Sequence, residues 1–209
     1  MRNLLFIAIL LVTSDMMAQT AGFKPVSDML EFHQEFRIKS AELKTIASDF
    51  KQEKELAALS EKITSTGKFW FRRSNQVRID YEAPFAYRLI MNGDQILLKD
   101  QQKENRLNIK SNKLFQQVNR IILDCIQGSI LDSKDFTTLV FENENSFLLQ
   151  MTPASKSLKE FFETISLYVD KRDYSADKII MSEPGGDTTV MTFGKKKVNQ
   201  PISDETFAL

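Results

Sequence analysis

Apolar residues recur at helical spacing in two stretches of the chain and at strand spacing through most of the rest. Over residues 26–42 they lie three or four positions apart, with Ser27 as the expected N-cap and Asp28 and Glu31 in the first turn. The same spacing over residues 112–131 predicts a second helix that ends or kinks at Gly128. We expect both helices to be amphipathic.

From Lys44 onward the apolar period changes to two, which indicates strands. Asn92-Gly93 between two apolar runs is a strong signal for a hairpin. Apart from the stretch that begins at Lys44, the predicted strands cover residues 63–73, 76–82, 87–91, 95–99, 137–142, 146–152, 161–170, 178–182 and 188–193. Few helices separate them, so antiparallel pairing is the economical topology.

The predicted fold class is α+β, mainly β, with one antiparallel sheet of about ten strands, a length at which sheets normally curl. One helix precedes this sheet and one is inserted midway. If the sheet curls around its apolar face, these two helices are the elements left to cover the opening. The helix over residues 112–131 is then either permanent core or a movable cover.

Composition limits the chain to one domain and removes several classes of function. The chain has 209 residues, of which 42% are apolar, enough for one core but not for two sizeable ones. Lys and Arg together number 28, as do Asp and Glu, so no net field attracts nucleic acid, and we expect no nucleic-acid partner. Balanced charge and a covered apolar face favour a monomer.

The N-terminus has the three parts of a secretory signal. Arg2 precedes an apolar run over residues 4–12, and Ala18 offers a small residue for cleavage. The run is shorter than the roughly 20 residues that a membrane span needs. We predict a signal peptide over residues 1–18, with a cut near Gly22 as the fallback, and a single domain over residues 19–209. No cysteine follows the run, so the expected product is a soluble protein of a bacterial periplasm, without a lipid anchor.

Candidate catalytic residues are few. His33 is the only histidine and lies among apolar neighbours, while Cys125, the only cysteine, lies on the apolar face of a predicted helix. Metal-ligand spacings, a phosphate-binding glycine loop and a nucleophile elbow do not occur. The sequence therefore predicts no enzyme, no cofactor and no metal site.

Residues 67–84, GKFWFRRSNQVRIDYEAP, combine apolar strand residues with three arginines. Strict alternation puts Phe69, Phe71 and Arg73 on one face of the first strand. Arg73 is then either a surface charge at the strand end or a residue at the mouth of an apolar concavity. In the second case its guanidinium could donate hydrogen bonds to backbone carbonyls of a covering helix.

Residues 45–84 resemble the periplasmic outer-membrane lipoprotein carrier family, LolA. The likeness consists of Phe-x-Gln at Phe50, a Gly-x-hydrophobic-aromatic strand that ends in a basic pair, and Arg-x-x-Tyr-x-x-Pro from Arg78. It continues through LIMNGDQILLKD and is weaker in FGKKKVNQPISDETFAL, which is similar to the family's Asn-x-x-Ile and Phe-centred last strand.

This resemblance implies an incomplete, half-open antiparallel β-barrel with an apolar inner face and a helical lid. Its implied function is to bind the acyl chains of lipoproteins and carry them across the periplasm from the inner to the outer membrane. The implied partners are acylated lipoproteins, an inner-membrane lipoprotein-releasing ABC transporter and an outer-membrane receptor.

The resemblance also assigns roles to individual residues. By position, Arg73 is the latch that holds the lid shut, although the family's usual Pro is replaced by Ser74, which leaves Arg72 as a substitute. The acyl-chain cavity is predicted to comprise Phe50, Phe69, Phe71, Val77, Ile79, Tyr81, Leu89, Met91 and Leu97. The lid face is predicted to comprise Leu114, Val118, Ile121, Ile122 and Cys125.

Another class of function stays open at this point. A LolA-like fold could serve as a binding protein or chaperone for another amphiphile, such as a glycolipid or an acylated pigment. An enzyme, such as a lipid hydrolase, would require turnover that depends on His33 or Cys125.

Overall fold

The computed structural model describes residues 22–111 and 113–209, except for the side chains of Lys113 and Leu114. The predicted signal peptide and its cleavage site lie outside these residues. The helices are α1 (Met29–Glu42), α2 (Lys113–Gln127) and α3 (Lys156–Lys159). The strands are β1 (Lys24–Pro25), β2 (Thr45–Leu56), β3 (Glu61–Arg72), β4 (Gln76–Ala83), β5 (Tyr87–Asn92), β6 (Gln95–Lys99), β7 (Glu104–Asn108), β8 (Phe136–Glu142), β9 (Ser146–Pro153), β10 (Thr164–Asp170), β11 (Ala176–Ser182) and β12 (Thr188–Val198).

These strands form one antiparallel sheet whose two ends do not meet. The order is β1-β8-β9-β10-β11-β12-β2-β3-β4-β5-β6-β7, so the last strand pairs with the second and joins the two halves of the chain. The sheet is open at β1 and β7, which confirms the predicted half-open, mainly β architecture. The helices are left to cover its apolar inner face.

The prediction of about ten strands missed two edge strands. β1 pairs only Lys24 and Pro25 with β8, too short a segment to produce a pattern. β7 has the sequence ENRLN, in which Leu107 is the one apolar residue. Residues 161–163, predicted as strand, precede β10 instead, because the chain first turns through α3.

Two helical details also differ from the predictions. Asp28, not Ser27, is the N-cap of α1, and its carboxylate accepts hydrogen bonds from the amides of Leu30 and Glu31, each at 2.9 Å. The C-terminal Phe, predicted to centre a last strand, lies in a short 3-10 helix, Asp204–Phe207. Ser203 caps that helix, as its oxygen accepts from the amide of Glu205.

The inner face of the sheet carries two separate core clusters. One cluster joins β8–β11 to α1 through residues such as Phe36, Leu149 and Leu167. The other joins β2–β6 through residues such as Phe71 and Met91. The two clusters lie on the two halves of a curled sheet, so a helix must cover the space between them on the inner face.

Gly67 on β3 allows an unusually close approach of β4. A Cβ at this position would lie 2.0 Å from the carbonyl oxygen of Asp80 and 2.8 Å from the ring of Phe50. The ring of Phe50 therefore occupies the space above the glycine, and it meets Tyr81 edge to face at 5.0 Å.

The outer face of β3–β5 binds the C-terminal segment through arginines. Arg72 lies over the ring of Phe207 at 4.9 Å and donates to the carboxylate of Asp204 at 2.6 Å. Arg78 lies over Trp70 at 5.0 Å and donates to the carbonyl oxygen of Thr206 at 3.1 Å. The positive charges of this apolar strand pair thus hold the end of the chain against the sheet.

Asp80 keeps this arrangement in place and gives it a pH dependence. Its carboxylate accepts two hydrogen bonds from Arg78 and two from Arg88, at 2.6–3.0 Å. Burial alone would raise the pKa of Asp80, but the hydrogen bonds from the two arginines outweigh it, so the pKa lies below the usual value. A carboxylate with a lowered pKa stabilises the folded state above its unfolded pKa, and this contribution is lost as the pH falls through the folded pKa.

We therefore expect Asp80→Asn to lower the free energy of unfolding by about 2 kcal/mol at pH 7. The difference from the unsubstituted protein should shrink below about pH 4. Urea denaturation at pH 7 and pH 3 measures both effects. Glu82→Gln, which removes the exposed carboxylate that pairs with Lys68, is the control and should change stability little. A difference for Asp80→Asn that is the same at both pH values would contradict this assignment.

An apolar cavity beneath helix α2

A cavity of about 260 Å³ lies between the two core clusters, beneath α2. The sheet supplies its floor from both halves of the chain, and α2 supplies its roof. None of the lining residues carries a formal charge, and nearly all of them are apolar. The cavity is larger than an engineered cavity of about 150 Å³ that stays dry and binds benzene.

Of the nine residues predicted for the cavity, three line it: Phe69, Ile79 and Tyr81. They belong to β3 and β4 and are neighbours on the inner face, since Phe69 pairs with Ile79 and Tyr81 follows two positions later. Alternation along the strands places these three residues on the inner face.

The other six predicted cavity residues lie elsewhere. Five are on the inner face but pack into the core cluster of β2–β6: Phe50, Phe71, Val77, Leu89 and Met91. Alternation identifies the face of such residues but not whether neighbours fill the space above them. Leu97 is wrong even as to the face, because it pairs with Ile90, which in turn pairs with Arg78 of the outer face.

The predicted lid face matches the roof of the cavity. Val118, Ile121, Ile122 and Cys125 all line it, and so does Ile126, which the prediction omitted. The side chain of Leu114 lies outside the described part of the structure. Ile121 and Cys125 pack against the β8–β11 cluster, while Ile122 and Ile126 pack against the other cluster. Helix α2 therefore bridges the two clusters across the cavity.

The second half of the chain supplies most of the cavity wall, which the sequence-based list of residues missed entirely. These residues are Met151, Phe162, Ile165, Leu167, Val169, Tyr174, Ser175, Ala176, Ile179, Met181, Met191 and Phe193; Leu43, Ile46, Ser48 and Gln52 complete the lining. The alternation in TISLYVD was a usable signal, because Ile165, Leu167 and Val169 all face inward.

A few polar groups interrupt the apolar lining. The hydroxyl of Tyr81 donates to the side-chain oxygen of Gln52 at 2.9 Å, and burial raises the pKa of this tyrosine. Burial also raises the pKa of Tyr174, with a further contribution from the carboxylate of Glu35. Both phenols are therefore neutral across the physiological range. The hydroxyl of Ser48 is buried and has no hydrogen-bond partner in the described part of the chain.

Neither residue considered for catalysis has a catalytic environment. Burial, and to a lesser degree the charge of Asp124, raises the pKa of Cys125 to about 12, so its thiol is not ionised at neutral pH. His33 lies on α1, away from the lining, with its Nε2 3.0 Å from a carboxylate oxygen of Asp132. Within the described ranges, no group of three or more His, Cys, Asp or Glu side chains is placed to hold a metal ion.

Arg73 follows β3 directly and binds the end of a helix, but that helix is α1. Its Nε donates to the carbonyl oxygen of Leu43 at 2.9 Å, and an Nη donates to that of Ser40 at 2.8 Å. The predicted direct bond to the lid is thus replaced by a bond to the helix beside it. Ser40 is in turn close to the end of α2, because a Cβ on Gly128 would lie 2.9 Å from the Ser40 side chain. Gly128 has a φ of +77°, which favours glycine.

Arg72 does not fit the role of substitute latch. It points to the outer face, where its bonds to the carbonyl oxygen of Ile202 and the carboxylate of Asp204 hold the C-terminal segment. A further bond to Gln76 joins β3 to β4. Because side chains alternate along a strand, Arg72 and Arg73 lie on opposite faces of the sheet. They therefore bind different segments of the chain.

Comparison with protein families agrees with this architecture. The model of a family described as outer membrane lipoprotein carrier protein LolA matches residues 41–209. The chain belongs to the LolA family. Proteins of this family are carriers and binding proteins for lipids or lipoproteins, not enzymes. The resemblance inferred from residues 45–84 is confirmed.

Solved structures resemble this member of the LolA family at low sequence identity. The complex of MucA and MucB from Pseudomonas aeruginosa matches with a TM-score of 0.51 and 11% identity, over 85% of this chain and 61% of that one. An uncharacterised conserved protein from Thermus thermophilus matches with a TM-score of 0.51 and 7% identity, over 86% and 93%. A LolA superfamily protein from Nitrosomonas europaea matches with a TM-score of 0.45 and 11% identity, over 85% and 97%.

Curated protein sequences give no significant match. Over residues 22–111 and 113–209 of this LolA protein, no helix is both long and apolar enough to cross a membrane.

We predict that Arg73→Leu loosens helix α2, the lid of this LolA-family protein, by freeing the end of α1 on which Gly128 rests. Amides of α2 should then exchange hydrogen about tenfold faster, since two hydrogen bonds to a charged group are lost. Hydrogen-exchange mass spectrometry measures this directly. Arg72→Leu is the matched control and should loosen residues 202–208 while α2 keeps its protection. If the amides of α2 exchange at the same rate in Arg73→Leu as in the unsubstituted protein, Arg73 does not hold the lid in place.

Proposed function

We propose that this protein is a periplasmic carrier that binds the acyl chains of lipoproteins and shuttles them from the inner to the outer membrane. The observation that supports this most strongly is the uncharged cavity of about 260 Å³ between an open sheet and a bridging helix. Apolar surface that is left unfilled inside a protein is the feature that an acyl chain can use. Membership of the LolA family points the same way.

The partners that we propose follow from this task. An inner-membrane lipoprotein-releasing ABC transporter would load the carrier, and an outer-membrane receptor would accept the lipoprotein. Transfer between two apolar environments is nearly neutral in free energy. The direction of transport must therefore come from an energised donor and a better acceptor. We propose that the carrier itself acts as an exported, soluble monomer.

Acyl-chain binding by this cavity requires the lid to move. Three chains of about 16 carbons, at about 0.8 kcal/mol per buried methylene, would release more than 30 kcal/mol. That exceeds the ceiling of roughly 18–21 kcal/mol for noncovalent binding. By comparison with the benzene-binding cavity, 260 Å³ holds on the order of ten carbons. A triacylated lipoprotein therefore requires α2 to separate from the sheet, and part of the binding energy offsets that opening.

The size of the closed cavity also favours a second candidate function. A periplasmic binding protein for a single-chain amphiphile, such as a glycolipid or an acylated pigment, would need less displacement of α2. The two candidates differ in the mass of the bound molecule. Native mass spectrometry of protein isolated from the periplasm should show an adduct of many kilodaltons for a lipoprotein and a much smaller one for a lipid. Protein that carries no adduct even when exported at native levels would contradict both.

The role of the cavity is tested by placing a charge in its roof. Val118 lines the cavity but belongs to neither core cluster, so Val118→Asp should leave the fold intact. Val118 is only half-buried in the empty protein, but a bound acyl chain would bury the new carboxylate without a partner, at a cost of several kcal/mol. We therefore expect at least a tenfold loss in binding of a fluorescent tripalmitoylated lipopeptide.

Leu139→Asp is the matched control, because it makes the same kind of change on the exposed outer face, where Leu139 is 50% accessible. Equal binding by both variants, with unfolding curves like that of the unsubstituted protein, would show that acyl chains bind elsewhere.

A further inference from the structure

Ser48 is an anomaly in the wall of the cavity. It lies on β2 opposite Phe69, among apolar residues, and is 6% exposed. Within residues 22–111 and 113–209, its hydroxyl finds no hydrogen-bond partner. A buried hydroxyl without a partner costs about 1–3 kcal/mol, so a valine or alanine would stabilise the empty protein more. The hydroxyl is thus a hydrogen-bond donor for which the described residues supply no acceptor.

The other serine in the wall shows the difference. The hydroxyl of Ser175 donates to Asp173 at 2.6 Å and accepts from Lys196 at 2.7 Å, so it is engaged in a network behind the wall. The hydroxyl of Tyr81 is likewise engaged, through its bond to Gln52. The hydroxyl of Tyr174 is engaged with the carboxylate of Glu35. Among the hydroxyl groups of the described lining residues, that of Ser48 is therefore the one left to bind a ligand.

Because the lining residues carry no charge, the ligand group that meets Ser48 must be uncharged. No Lys, Arg or His side chain lies among the described lining residues to neutralise a carboxylate at the depth of Ser48. Burying an unpaired carboxylate costs far more than one hydrogen bond returns. A neutral carbonyl oxygen, by contrast, accepts a hydrogen bond from a hydroxyl without bringing a charge.

We propose that Ser48 is a ligand-binding residue whose hydroxyl donates to the carbonyl oxygen of an ester-linked or amide-linked acyl chain. The cavity then distinguishes a linked acyl chain from an ether-linked alkyl chain, which lacks the carbonyl, and from a free fatty acid, which brings a charge. This inference rests on the proposed function, since it takes an acyl chain as the occupant. It adds which part of the chain is recognised and by which residue.

The test compares two lipids that differ only in the carbonyl, an ester and an ether, and adds a charged free fatty acid. The affinities of 1-monomyristoylglycerol, 1-O-tetradecylglycerol and sodium myristate are measured by displacement of an environment-sensitive fluorophore below the aggregation concentration of each lipid. We expect the full-length mature protein to bind the ester about fivefold to tenfold more tightly than the ether, the factor that one net hydrogen bond supplies. Myristate should bind more weakly than the ester at neutral pH.

Ser48→Ala should remove the preference for the ester while keeping the affinity for the ether. Ser175→Ala, which alters a serine of the same wall whose hydroxyl is engaged, should keep the preference. Equal affinity of the unsubstituted protein for ester and ether would overturn the proposal, and so would a preference that survives in Ser48→Ala. If none of the three lipids binds, the proposed function fails together with it, whereas equal binding of all three leaves the carrier intact and removes only the role of Ser48.

Discussion

The structure depends on one constraint: a twelve-stranded sheet that stays open must leave part of its apolar inner face without a partner strand. A closed barrel or a second sheet would fill that space, but here the two ends of the sheet carry their own core clusters and do not meet. Helix α2 spans the gap with residues that pack on both clusters. The cavity is the volume that the helix covers and does not fill.

A cover of this kind must be held in place while the space beneath it stays unfilled. A helix that packed closely into the gap would fill it and leave no cavity for a ligand. Instead, α2 rests at its C-terminal end against α1, where Gly128 approaches Ser40, and Arg73 binds the carbonyl groups at the end of α1. The guanidinium of Arg73 thus acts on α2 only through α1. We propose that this indirect contact is what allows opening at a modest cost in free energy.

Much of the fold could be predicted from alternation and helical spacing alone. The face of Phe69, Phe71 and Arg73 and the roof formed by Val118, Ile121 and Ile122 follow from periodicity. Periodicity does not report which inward residues have neighbours above them, so Phe71 and Met91 were assigned to the cavity although the core buries them. It also does not report pairing between distant strands. The wall supplied by the second half of the chain depends on the β2–β12 pairing and was therefore missed.

The arginines of GKFWFRRSNQVRIDYEAP have separate roles. Arg72 and Arg78 bind the C-terminal segment on the outer face, and Arg73 binds α1 at the inner face. Neighbouring residues on a strand point to opposite faces, so a pair of basic residues at a strand end can act on two different parts of the molecule. A family motif that records only a basic pair does not contain this distinction.

The central claim is that α2 moves away from the sheet when an acyl chain occupies the cavity. Spin labels at Gln116→Cys on the exposed side of α2 and at Lys51→Cys on the outer face of β2, in a Cys125→Ala background, report that distance by double electron–electron resonance. The account predicts a distance that lengthens by several ångströms when a tripalmitoylated lipopeptide binds. The same distance distribution with and without bound lipopeptide would contradict it.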